Sequence, residues 1–126
     1  MIWTAVGACS ALVAVALGAF GAHGLRSVLA PESLAIFETG VRYQLVHAIA
    51  LVALGLGAHR LPAASVRGVG AMFGIGSILF AGSLYVLVFT GVRAWGAVTP
   101  LGGLAFLAGW GWLAFAAWSV VRQERP

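Results

Sequence analysis

The residues able to do chemistry in this chain are few, and they crowd into one stretch. Phe37-Glu38-Thr39-Gly40-Val41-Arg42-Tyr43-Gln44-Leu45-Val46-His47 holds two of the ten charged residues and one of the three histidines. On a helix, Glu38 and Arg42 are four apart, as are Tyr43 and His47, and Gln44 and His47 are three apart, so each pair shares a face. Arg42 and His47 are about 140° apart round the axis and need not. Two readings of the cluster stand side by side. It is a proton-relay or ligand site built from Glu38, Arg42, Gln44 and His47, with His23 as a further member. Or it is a hydrogen-bonded lock that fixes how the first three helices pack. An ionisable group in a membrane interior costs at least ~2.5 kcal/mol and is normally turned inward and paired. The candidate partners for His47 are Ser83 or Tyr85, Ser10 or Thr4, and Gln44 itself.

Other chemistries find little support. His23 and His47 would suit haem ligation only at matched depth, which nothing in the sequence sets. Zinc would need His23, His47 and a glutamate to converge. The expectation is no metal, no cofactor and no catalytic residue. There is no GxSxG, HExxH or phosphate-binding glycine loop, and no aspartate at all. Ser83 reads as a packing hydroxyl bonded back to the preceding turn. Cys9 is the only cysteine, so no internal disulfide forms. Val6-Gly7-Ala8-Cys9 is a poor lipoprotein box, because the apolar run lies mostly after the cysteine. The first apolar run lacks a basic leader and is kept as a true helix.

The elements that must position these residues are membrane spans. Hydrophobic residues make up 62% of the 126 and charged residues 8%, and mean hydropathy is +1.04. Soluble domains carry about 25% charged residues, so this inventory cannot cover a watered surface. Seven arginines stand against three glutamates. Because they lie in short connections, they fit lipid headgroups and topology, not nucleic acid. Continuous apolar runs favour helices over alternating barrel strands. Spans are expected at about 2–22, 41–59, 68–90 and 99–121. Pro31-Glu32-Ser33 is a helix start. A short amphipathic helix from there to about Thr39 would lie on the bilayer surface before the second span, with Gly40 allowing a bend or close packing. Thr99-Pro100 opens the fourth helix with a natural cap. The fold class is all-α: an integral membrane four-helix bundle in a single domain.

Small-residue stripes mark packing faces: Ser10, Ala14, Gly18 and Ala22; Gly70, Gly74 and Gly82; Ala105 and Gly109. A homodimer interface is the alternative use of the same stripes. Arg60, Arg67, Arg122 and Arg125 fall on the side of both termini and Arg26, Arg42 and Arg93 on the other. That bias places the termini in the cytoplasm.

Four motifs carry a resemblance: Gly18-Ala-Phe-Gly-Ala-His-Gly24, Phe37-x-Thr-Gly-Val-Arg-Tyr-Gln-x-x-His47, Gly82-Ser-Leu-Tyr85 and Thr99-Pro-Leu-Gly-Gly103. In this order they resemble the domain-of-unknown-function family 423. That family comprises small bacterial inner-membrane proteins and is similar to the transmembrane protein 256 group. Ala81 departs from an expected Phe-Ser-Gly-Ser pattern, so a hydroxyl there is not essential. The resemblance implies a small multi-pass membrane protein and no particular activity.

The leading expectation is a non-enzymatic accessory or assembly factor, or a binder of a small ligand or lipid. Its partners would be membrane lipids, with a second copy or another membrane protein possible and nucleic acid excluded. The competing expectation is a small transporter or channel using Glu38, Arg42 and His47 as its polar path. The candidate cluster is His23, Glu38, Arg42, Tyr43, Gln44, His47, Ser83 and Tyr85.

Overall fold

The structure is a computed structural model, and it describes residues 1–125. Helix α1 runs Ile2–Phe20 and widens into a π-helical turn at Gly21–Leu25; α2 is Pro31–Leu56, α3 is Ala63–Thr90 and α4 is Thr99–Gln123. Short 3-10 turns, Ala58–Arg60 and Arg93–Ala97, join the later helices. Four helices are long and apolar enough to cross a membrane. Twenty-six residues of α2 rise about 39 Å, against a hydrocarbon core of about 30 Å. The outward faces agree with that solvent: Ile78, Leu107 and Phe115 are 70–75% exposed, which in water would forfeit the transfer energy of three large side chains.

Local sequence sets the boundaries. Ala30 is extended, Pro31 occupies the first helical turn and Glu32 sits at the positive end of the dipole. The expected surface helix is therefore helical, but it is not separate: α2 continues without a break from Pro31 through Gly40. Gly40 serves close packing, since a Cβ there would meet the Tyr85 ring at 2.8 Å. Pro62 caps the start of α3, which begins at Ala63, ahead of the expected 68. Gly91, at φ 69°, ends α3 in the left-handed conformation, its N–H donating to Leu87 O at 2.8 Å. Pro100 lies in the first turn of α4, but Thr99 does not cap it; its hydroxyl is engaged elsewhere.

In the bundle α1 packs on α2, α2 on α3 and α3 on α4. Buried Leu51, Leu54, Val66, Val69, Phe73 and Phe106 form the core. Small residues bring backbones together where lipid gives helices no hydrophobic drive to associate. A Cβ on Gly7 of α1 would fall 2.5 Å from Ala48 O of α2. Gly102 of α4 lies directly on the Phe80 backbone of α3. The expected stripes hold only in part. Ala14 is fully buried, but Ala22 is exposed. Gly70 carries the Trp3 ring, whereas Gly74 and Gly82 face open space.

Candidate functional site

The polar groups of α2 sort by turn. Gln44 is buried and joins three helices. Its amide donates to Ser10 O at 3.1 Å and Ser10 Oγ at 3.4 Å on α1, and its carbonyl accepts from the Tyr85 hydroxyl of α3 at 2.7 Å. Gly40, one turn earlier, makes room for the Tyr85 ring, which also packs on Phe37 at 5.3 Å.

His47, one turn further in and 4% exposed, faces α3 and α4. Its Nδ1 lies 2.7 Å from Tyr43 O. A carbonyl only accepts, so Nδ1 carries the proton. Nε2 is then an acceptor, and it receives the indole N–H of Trp110 at 3.0 Å. Neutral His47 is held in one tautomer with both nitrogens engaged. Phe106 stacks on the ring at 3.4 Å and 9°, and Phe73 meets it edge-on at 5.4 Å. The partner of His47 is thus Trp110, not any of the five residues considered from the sequence. Tyr85 and Ser10 belong instead to Gln44. A signal for Trp110 existed: an indole N–H deep in an apolar helix needs an acceptor. Nothing in the sequence said that α4 would bring it to α2.

Ser83, also buried, donates back to Phe80 O at 3.0 Å and shares a 2.7 Å hydrogen bond with the Thr99 hydroxyl. It therefore ties α3 to the first turn of α4 as well as to its own helix. The remaining candidates stand apart. His23 is exposed on the π-helical turn, and Glu38 and Arg42 are exposed on α2. Neither charged residue joins the buried network. The expected eight-residue cluster is therefore three hydrogen-bonded ties and their surroundings, with its charged members outside. His23 and His47 do not converge, and among the described residues no three metal-ligating side chains gather.

Beside His47 lies a pocket of about 530 Å³ between α2, α3 and α4, walled by Tyr43, His47, Phe80, Gly103, Phe106 and Trp110. Tyr43 is 43% exposed; its ring packs on Phe80 at 4.4 Å, and its hydroxyl has no hydrogen-bond partner among the described residues. A smaller pocket of about 200 Å³, bounded by Leu54, Gly57 and Leu61, lies on the other side of Trp110. Trp110 lines both.

Known proteins place the chain. The family model described as protein of unknown function (DUF423) matches residues 17–103. The chain is 42% identical over 117 residues to the membrane protein YwdK of Bacillus subtilis, covering 92% of this chain and 95% of that one. It is 39% identical over 109 residues to the membrane protein SSP2132 of Staphylococcus saprophyticus, covering 86% and 90%. It is 36% identical over 116 residues to the inner membrane protein YgdD of Escherichia coli K12, covering 92% and 88%. No solved structure matches. With four apolar helices, this family model and these relatives in agreement, the chain is a multi-pass membrane protein and belongs to the DUF423 family.

Proposed function

We propose that this protein is a non-enzymatic accessory protein of the bacterial inner membrane that holds an amphiphile in the pocket between α2, α3 and α4. The observation that carries the reading is the pocket itself. Its volume falls inside the range of roughly 300–1,000 Å³ typical of small-molecule sites, and its wall is mostly apolar and aromatic with one free hydroxyl. Membrane lipid is the medium from which such a ligand would enter. The polar groups do not compete for the role. Gln44, His47 and Ser83 are engaged in ties between helices, and the charged residues offered as a transport path lie outside the bundle interior. Both termini face the cytoplasm on this reading, with Arg60, Arg67, Arg122 and Arg125 on that side.

Gly103 makes the reading testable. A Cβ there would meet only the Phe80 ring, at 3.9 Å, so Gly103→Leu fills the pocket while leaving the α3–α4 contact intact. Mass spectrometry of protein released by mild solubilisation should find an amphiphile retained by the wild type and lost from Gly103→Leu. Equal retention by both proteins would refute the assignment. Labelling of an added C-terminal cysteine in intact cells by a membrane-impermeant reagent would overturn the orientation.

A further inference from the structure

The side of α2 turned away from the bundle carries charge of both signs. Glu38, Arg42, Val46, Ile49, Ala53 and Leu56 are all exposed. At 100° per residue they fall within about 80° of arc, so they form one straight stripe along the helix. The opposite side is already used: Ala48, Leu51 and Gly55 meet α1, and His47 meets α3 and α4.

The depth of the two charges follows from their neighbours. Phe89 of α3 is 56% exposed and packs on Phe37 at 5.9 Å, so the apolar surface of the bundle reaches outward at least to the level of Phe37. Counting about 20 residues back from exposed Leu56, the length that fills a hydrocarbon core, arrives at the same level. Glu38 is one residue inside that edge, and Arg42 lies about 7 Å inside it. A charge at such depth is normally turned into the protein and paired. Both of these are turned outward, and neither takes part in the hydrogen-bonded ties between the helices.

The signs and their order select the occupant. Copies of one membrane protein insert in the same orientation, so a two-fold axis along the membrane normal brings equal levels of α2 together. Side chains on a helix lean towards its N-terminus, which aims Arg42 at the level of Glu38 one turn earlier. Each arginine then meets the partner's glutamate, and both charges are matched in two symmetric, charge-assisted pairs. Val46, Ile49, Ala53 and Leu56 continue the same stripe and pack beneath them. We infer that this face of α2 is the seam of a parallel homodimer, closed at its outer end by reciprocal Glu38–Arg42 pairs. The inference is independent of the pocket between α2, α3 and α4.

The test uses the full chain in native membranes, with Cys9→Ser as background and an added oxidant. Ile49→Cys, in the middle of the stripe, should give a disulfide-linked species of twice the chain's mass. Leu107→Cys, 70% exposed on α4, should not. Arg42→Glu and Glu38→Arg, each added alone to Ile49→Cys, should lose the cross-link, because every facing charge is then alike. Co-expressing the two under different tags should restore it between the tags, since the charges are again opposite across the seam. Circular dichroism of each purified variant verifies its fold. Restoration would not occur if Glu38 and Arg42 paired only within one chain, and its failure in folded variants would overturn the inference. So would no cross-link at Ile49→Cys, an equal one at Leu107→Cys, a product with a protein of another mass, or a cross-link that survives both charge reversals.

Discussion

Replacing Gln44 with leucine should loosen the bundle more than any other polar substitution of similar volume. The side chain makes interhelical hydrogen bonds in two directions, to Ser10 of α1 and to Tyr85 of α3. Interhelical hydrogen bonds in membranes average about 0.6 kcal/mol and reach about 1.7. Two of them give roughly 1–3 kcal/mol. The loss is not symmetric. Ser10 O keeps its own helical N–H, whereas the half-buried Tyr85 hydroxyl loses its acceptor, at a cost of about 1–3 kcal/mol unless it finds a new one. The expected destabilisation is therefore about 2–3 kcal/mol, with Tyr85 contributing most.

A double-mutant cycle isolates that contribution. Tyr85→Phe removes the donor and leaves the Gln44 carbonyl unpaired, at about 1 kcal/mol. Gln44→Leu with Tyr85→Phe removes both partners and should cost less than the sum of the singles by about 0.6–1.7 kcal/mol. The assay is reversible unfolding in mixed micelles of rising denaturing-detergent fraction, followed by circular dichroism. A single Gln44→Leu variant as stable as the wild type would refute the reasoning. So would strict additivity across the cycle, which would mean that the Tyr85–Gln44 bond holds nothing.

Two further outcomes use the same unfolding assay. His47→Ala removes the stack on Phe106 and the acceptor for Trp110, and should cost about 2–4 kcal/mol; Trp110→Phe, which takes only the donor and some area, should cost about 1 kcal/mol. Gly7→Ala should destabilise strongly, because its Cβ would meet Ala48 O at 2.5 Å, whereas Gly74→Ala, with nothing near it, should stabilise by about 0.5–1 kcal/mol through helix propensity.

The spans were legible because lipid leaves the backbone few options: an uninterrupted apolar run must satisfy its hydrogen bonds internally and so becomes a helix. Pro31-Glu32 was legible for the same local reason. The passage through Gly40 was legible only as one of two alternatives, a bend or close packing, and the structure takes the second. Local propensity favours a break at glycine, and only the Tyr85 ring on α3, 45 residues later, turns that glycine into a packing surface instead. Gln44, His47, Ser83 and Tyr85 were recognisable as groups that needed partners, since a polar atom in hydrocarbon is costly unpaired. Which partner each would find was not, because that depends on the rotation of one helix against another. A shift of about one turn along the axis separates Ser10 serving Gln44 from Ser10 serving His47.

The pairing pattern itself bears on where function resides. Gln44 ties α2 to α1 and α3, Ser83 ties α3 to α4 through Thr99, and His47 ties α2 to α4 through Trp110. Each of these bonds crosses between helices, and together they reach all four. The hydroxyls of Thr4 and Ser77 are buried without partners among the described residues, and neither lines the pocket beside His47. Groups consumed in holding the bundle are poorly placed to bind or relay anything, since each such act would release a helix. Glu38, Arg42 and His23, though chemically the most versatile, are exposed and unconnected to the interior. The group that is neither consumed nor remote is the Tyr43 hydroxyl, at a pocket whose walls are fixed by those ties. A lock and a site are therefore not rival readings of the stretch from Phe37 to His47. The lock fixes one wall of the proposed pocket: His47, held by Tyr43 O and Trp110, cannot turn without breaking a tie between α2 and α4, and a wall set in advance leaves less ordering to be done on binding.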